Sequence, residues 1–211
     1  MDRGSFITLE GIEGAGKTTC MAQLRLLVRQ AGKTYLETRE PGGTALGEDL
    51  RRLLLGHKHT GMADDTELML MFASRAEHLQ QKILPALNQG QWVLCDRFTD
   101  ATYAYQGGGR GIAFSRIQVL EDWVQKGFKP DLTLLLDLPV ELGLARAEKR
   151  SAPDRFESEA LEFFRRVRQS YLALARKEPE RIRIIDASLD LDEVLAQIRG
   201  TVNHFLRNHA G

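Results

Sequence analysis

The chain has 211 residues, 43% of them hydrophobic and 27% charged, a balance that suits one globular domain with a substantial core. Twenty-nine basic residues offset twenty-nine acidic ones, so no net field draws it to nucleic acid or to an anionic membrane. Two cysteines exclude a disulfide framework and fit a reducing cytoplasm, no apolar run reaches a bilayer's span, and Met1-Asp2-Arg3-Gly4 lacks the form of a signal peptide.

The pattern that organises the rest comes first in the chain. Phe6-Ile7-Thr8-Leu9-Glu10 is a short apolar run, and it leads into Gly11-Ile12-Glu13-Gly14-Ala15-Gly16-Lys17-Thr18-Thr19. This is a phosphate-binding loop set between a strand and a helix, the context its mechanism requires. Glycines let consecutive N–H groups turn inward into a nest for oxyanions, and the following helix points its positive end at the same place. Lys17 reaches toward the terminal phosphates, and the Thr18 hydroxyl suits a Mg²⁺ ion beside them.

Leu24, Leu27, Val28 and Ala31 then recur at helical spacing, and Gly32 is placed to stop the helix. Residues 34–38 read as a second strand, residues 39–44 as a turn cluster, and 45–55 as a helix before a polar loop over 56–64. A Met- and Leu-rich helical pattern runs from Asp65 to about Leu84, with Pro85 near its end. Trp92-Val93-Leu94-Cys95 is a strand that stops at Asp96-Arg97. The Gly-rich run 106–111 reads as a divider before a helix at roughly 114–126. Leu132 to Asp137 is nearly all apolar, as a strand covered on both faces should be. Helices follow from about Glu141 and over about 158–178, the second carrying Phe164, Val167, Tyr171 and Leu174 on one side. Arg181 to Asp186 is a last strand, and Val194, Leu195, Ile198, Val202 and Phe205 line a closing helix.

Such alternation predicts an α/β fold, a five-stranded parallel sheet with helices on both faces in three layers. Ligands of such sheets sit beyond the carboxyl ends of the strands, which gathers Glu13, Arg39, Asp96, Arg97 and Asp137 on one rim. Phosphoryl transfer asks for two substrates held in line and for positive charge along the path. Arg39 and Arg97 suit a bidentate grip on a phosphate, although either alone also reads as an arginine at a loop start. Asp96 suits Mg²⁺ or its waters, or simply opens a turn. Lys149, Arg150 and Arg155 lie in a polar segment that reads as a solvated connector or as a mobile lid over the phosphates. Arg165, Arg166 and Arg168 read as a solvated face, and the methionines at 69–71 as packing.

Four motifs together resemble the bacterial thymidylate kinases: residues 10–19, Arg39-Glu40-Pro41-Gly42-Gly43-Thr44, Phe72-Ala73-Ser74-Arg75-Ala76-Glu77-His78, and Asp96-Arg97-Phe98 through Ala104-Tyr105-Gln106-Gly107-Gly108-Gly109-Arg110-Gly111. The resemblance covers essentially the whole chain, 1–211, as a single P-loop kinase domain with a short lid at about 146–157. It implies transfer of the ATP γ-phosphoryl group to dTMP with Mg²⁺, in a cytoplasmic homodimer that supplies dTTP synthesis. By position, Phe72 would stack on the thymine, Arg75 would donate to a thymine carbonyl, and Thr102 and Gln106 would meet the remaining base edge. Tyr105 would press on the sugar's 2′ carbon, Arg39 and Arg97 would clamp the acceptor phosphate, and Glu13 would meet the 3′-hydroxyl or a nearby arginine. Since the phosphate loop carries acidic Glu13 where some members have a basic residue, the resemblance assigns the catalytic arginine to the lid, as Arg150, with Lys149 or Arg146 as substitutes.

Two other functions fit parts of the pattern. A kinase of the same fold acting on a nucleoside would want a carboxylate base at a 5′-hydroxyl, whereas Arg39 and Arg97 suit a monophosphate. A nucleotide-dependent switch would want a guanine-reading Asn-Lys-x-Asp, which the sequence does not contain.

Overall fold

The computed structural model describes residues 3–148, 155–156 and 159–208. Five strands, β1 (Phe6–Glu10), β2 (Tyr35–Arg39), β3 (Trp92–Asp96), β4 (Leu132–Asp137) and β5 (Ile182–Asp186), form one parallel sheet in the order β2-β3-β1-β4-β5. The chain thus winds outward from β1 in both directions, and the phosphate loop leaves the central strand. Sequence pattern follows position: β1 and β4 are buried almost throughout, while edge strands β2 and β5 alternate with exposed residues. Along β1 and β3 successive side chains enter different apolar clusters, Phe6, Val93 and Cys95 in one and Ile7, Leu9 and Leu94 in the other, so both sheet faces are covered.

Nine α-helices are found among the described residues: α1 (Lys17–Gln30), α2 (Ala45–Leu55), α3 (Asp64–His78), α4 (Leu84–Asn88), α5 (Thr99–Thr102), α6 (Phe114–Gln125), α7 (Val140–Ala147), α8 (Leu161–Lys177) and α9 (Leu191–Asn208). None is long and apolar enough to cross a membrane. The parallel pairing and the element boundaries agree with the sequence pattern to within a few residues in most places.

Two departures have physical causes. The helical pattern from residue 65 does not stop before Pro85. It widens into a π-turn at Leu79–Ile83, and Pro85 falls in the first turn of α4, where a missing N–H costs nothing. The Gly-rich run is not a divider either: Tyr103–Gly109 is a π-helical continuation of α5 packed against α8. Glycine is needed there because a methyl group on Gly108 would lie 2.0 Å from the Ser170 hydroxyl, and one on Gly109 would lie 2.4 Å from the Phe163 ring. Close approach of two backbones overrides the poor helix propensity of glycine.

Candidate active site

The phosphate loop turns through left-handed backbone at Gly14 (φ 72°) and Gly16 (φ 87°). At Gly14 a side chain is doubly excluded, since its Cβ would sit 1.8 Å from the Gly143 carbonyl oxygen of α7. Gly16 caps α1 with no side-chain hydrogen bond, so the first-turn N–H groups face the loop's concavity, where an anion is favoured. Lys17 folds back over the loop and donates to the carbonyls of Gly11 and Ile12, both at 3.1 Å. Burial, and then the charge of Arg97, press the Lys17 ammonium below its ordinary pKa, while Glu13, Asp96 and Glu10 oppose the shift. Thr18 and Thr19 are exposed at the mouth.

β1 ends on Glu10, fully buried, whose carboxyl accepts the Phe98 N–H at 2.7 Å and the Tyr171 hydroxyl at 2.8 Å. Burial, with the charge of Asp100, pushes its pKa up to about 8 against those two hydrogen bonds. By holding Phe98 it braces the turn after β3, where Arg97 takes left-handed backbone (φ 67°), an uncommon conformation for a side-chain-bearing residue. From that turn the Arg97 guanidinium meets the Glu13 carboxylate and donates to the Tyr105 hydroxyl at 3.0 Å, and Tyr105 donates to Glu13 at 3.0 Å. Burial alone would raise the Glu13 carboxyl, but the charges of Arg97 and Lys17 outweigh it and hold the pKa at about 2. The same Glu13 keeps Arg97 firmly protonated despite its burial.

Beyond Arg97 opens a largely apolar cavity. Pro41, Leu55, Met71, Phe98, Ala101 and Phe156 form much of its wall, and Arg75, Thr102, Tyr105 and Gln106 supply polar groups. Arg75 enters it from α3 between two rings, 4.8 Å from the Phe72 centroid and 5.1 Å from Phe98. Its Nε donates to Glu40 at 2.8 Å and one terminal nitrogen to Thr102 at 2.9 Å, while the other, Nη1, is buried with no hydrogen-bond partner among the described residues. Glu40 is held in turn by His78, 3.0 Å away, whose far nitrogen is 2.7 Å from the Thr38 hydroxyl. A buried donor left open in this way is ready for a ligand acceptor.

A family model described as thymidylate kinase matches residues 9–198. The chain belongs to the thymidylate kinase family. It is 58% identical to the thymidylate kinase of Alkalilimnicola ehrlichii over 94% of this chain and 92% of that protein. It is 54% identical to that of Nitrosomonas eutropha over 97% and 95% respectively. The crystal structure of thymidylate kinase from Ehrlichia chaffeensis superposes with a TM-score of 0.77 at 36% identity, covering 95% of this chain and 99% of that one. The shared architecture is the P-loop kinase fold that the resemblance implies, built on the five-stranded parallel sheet expected from the alternation of strands and helices.

Within this family fold, several expected positions converge and others do not. Glu13, Arg75, Arg97, Thr102, Tyr105 and Gln106 line one cavity. Phe72 does not line it. Its ring is 2% exposed beneath the Arg75 guanidinium, and the neighbouring Met71 forms the wall, because adjacent helical residues point about 100° apart. Arg39 is half exposed, paired with Glu48 at 2.9 Å, and lies on a separate groove with Thr18 and Asp96 rather than in the cavity with Arg97. In that groove Asp96 carries a buried Oδ1 with no partner among the described residues. Arg146 is committed to the Ala187 carbonyl at 2.9 Å, and Lys149 and Arg150 lie outside the described residues.

The arginines read as solvated divide as well. Arg165 alone pairs with exposed acids, Glu141 and Glu162. Arg168 forks onto Asp137 at 2.7 and 2.9 Å, and Arg166 donates to the Gly108 and Gly109 carbonyls at 3.2 and 2.8 Å. Arg155 is no solvated connector: 7% exposed, it donates to the Leu54 carbonyl at 2.7 Å and to Glu67 at 2.6 Å. Glu67, Glu40, His78 and Glu10 are site residues that sequence reading missed as such. Glu10, Glu40 and His78 stand in the quoted motifs without a role of their own, and Glu67 shows only as a polar residue at an inward helical position, which spacing alone does not separate from surface.

Proposed function

We propose that this protein transfers the γ-phosphoryl group of ATP to the 5′-phosphate of dTMP, giving dTDP. One observation supports this most: the Glu13–Arg97–Tyr105 cluster joins the phosphate loop directly to a cavity with an open guanidinium donor in an apolar wall. A flat base is recognised by such a cavity, with few polar groups and much hydrocarbon. The phosphate loop, residues Gly11, Ile12, Glu13, Gly14, Ala15, Gly16, Lys17, Thr18 and Thr19, receives the triphosphate through backbone N–H groups, and Lys17 exchanges its carbonyl partners for phosphate oxygens. Arg97, held out by its left-handed backbone, meets the acceptor phosphate in competition with Glu13. Arg75 donates to a base carbonyl, Thr102 and Gln106 bond the rest of the edge, and Tyr105 stands against the sugar where a 2′-hydroxyl would fall. Met71 lies on the cavity wall, and Phe72, expected to stack on the thymine, lies behind the Arg75 guanidinium. Arg39, across the Thr18 groove, contributes positive charge from the opposite side.

Thr18 and Asp96 are the residues suited to Mg²⁺, since both line one groove and Asp96 keeps a carboxylate oxygen without a partner among the described residues. No cluster of three or more His, Cys, Asp or Glu side chains is placed to cage a metal among the described residues. That suits an ion held mainly by phosphate and water, which would supply positive charge beside the transferring group. A lid at about 146–157 of a single domain, 1–211, brings Arg150 to the same charge. Its removal should lower kcat with KM unchanged. The exposed Met69, Val119 and Trp123 of α3 and α6, spaced from the Asp65–Arg116 ion pair, form an apolar face that suits a homodimer, which sedimentation of the purified protein tests.

The deciding experiment is ADP release with ATP and Mg²⁺ against each deoxynucleoside and ribonucleoside monophosphate. Turnover with dTMP and little with the others is expected. Turnover only with another monophosphate would keep the kinase and remove the base assignment, and slow hydrolysis indifferent to acceptors would favour a switch.

A further inference from the structure

Glu67 of α3 is fully buried beside the cavity without lining it. Its Oε1 accepts from the Gln106 amide nitrogen at 2.9 Å, and its Oε2 accepts from Arg155 at 2.6 Å. Arg110 donates to both oxygens at 3.4 Å. Facing two guanidinium groups, this carboxylate only accepts hydrogen bonds. An amide has one donor end and one acceptor end, and the wrong end against a carboxylate sets two acceptors face to face. Glu67 therefore takes the N–H end of Gln106 and leaves its carbonyl oxygen for the cavity, where no described residue donates to it.

The other polar groups in the cavity are donors. Arg75 Nη1 is open, and Thr102 has already accepted from Arg75, which leaves its own O–H to donate. Two donors and one acceptor complement a pyrimidine imide, whose ring N–H lies between two carbonyls. An aminopyrimidine edge instead brings a ring-nitrogen acceptor and an amino donor, which meet like groups here.

We propose that Glu67 is a positioning residue that fixes the Gln106 amide with its carbonyl toward the cavity, and so sets the preference for an imide edge over an aminopyrimidine edge. This rests on the dTMP reading above. Glu67 touches no substrate and acts through Gln106, and its ion pairs with Arg110 and Arg155 hold it in place for the task. A glutamine at position 67 presents either end to Gln106 and releases the constraint, whereas an aspartate stays acceptor-only at the cost of packing.

The test compares kcat/KM for dTMP and for 5-methyl-dCMP, which matches thymine in outline but not in hydrogen-bond pattern. Absence of dTMP turnover in the wild type would remove the functional reading itself. With that turnover present, Glu67→Gln should reduce the dTMP preference about tenfold or more, since discrimination built on paired buried groups is large. Glu67→Asp should keep the preference within about threefold even where its stability and overall rate fall. An unchanged preference in Glu67→Gln, or equal loss in both variants, would overturn the proposal. Side-chain amide NMR of the ¹⁵N-labelled wild type decides it without a variant. The Gln106 amide protons should stay downfield and slow to exchange with and without dTMP, and a change of partner on dTMP addition would sink the idea.

Discussion

The phosphate loop occupies nine consecutive residues, 11–19, whereas the cavity beside it draws on side chains from Glu13 to Phe156. The loop's binding groups are backbone N–H groups, fixed by glycines at Gly14 and Gly16 and by the start of α1. The cavity's polar groups are side chains, each aimed by another side chain behind it: Arg75 by Glu40, Gln106 by Glu67, Arg97 by Glu13. A backbone site tolerates change around it as long as its own few residues keep their dihedrals. A side-chain site is only as well placed as the buried pairs that support it, and such pairs are costly to break.

Substitutions on either side can break or sharpen this contrast. The largest effect is expected from Lys17→Ala, which should lower turnover about 10³-fold by removing charge from the transferring group, with dTMP affinity retained. Isothermal titration with dTMP checks this, and a comparable loss of acceptor affinity would show that the two regions are not separable. Arg75→Ala should raise the KM for dTMP about 10- to 100-fold, the worth of a buried charged donor, and leave ATP affinity within about twofold. Parallel loss of both affinities would return the base assignment to the alternatives.

The remaining effect is read on stability rather than on activity and concerns Glu10, which serves both regions. Its folded-state pKa of about 8 lies above the ordinary 4.5, so its protonated form contributes stability that is full below about pH 4.5 and is lost as the pH rises through about 8. Glu10→Gln removes that dependence. Relative to the wild type, the variant should therefore gain stability between pH 5 and 9, as urea denaturation at each pH will show. Glu13 works in the other direction: its depressed pKa of about 2 means a contribution present above 4.5 and lost as the pH falls toward 2.

Local information made the phosphate loop, the sheet and most helices legible, because a motif such as 11–18 and an apolar run such as 132–137 carry their own structural instructions. The positions Arg75, Thr102, Tyr105 and Gln106 were found through motif resemblance, and they do share a cavity. Phe72 lies in the layer beneath the cavity wall, under Arg75, because one helical step turns its side chain away from the position Met71 holds. For Arg39 the strand end fixed its position on the rim but not the acid, Glu48, that it pairs with. Glu67 and Arg155 are 88 residues apart, and nothing in either neighbourhood announces the pair. The glycines at 107–109 carried a false signal, since their composition reads as a turn until α8 is known to lie against them.

That glycine contact seats side chains of α8 directly on the bare backbone of residues 108–109. Ser170, Phe163 and Arg166 of α8 meet it there, and Tyr105 of the same π-turn has its ring against Phe163 and Tyr171. A joint with side chains on only one of its two sides has little slack. The width of the cavity at Tyr105 is therefore set in part by α8, which touches both the tyrosine ring and the glycines that follow it.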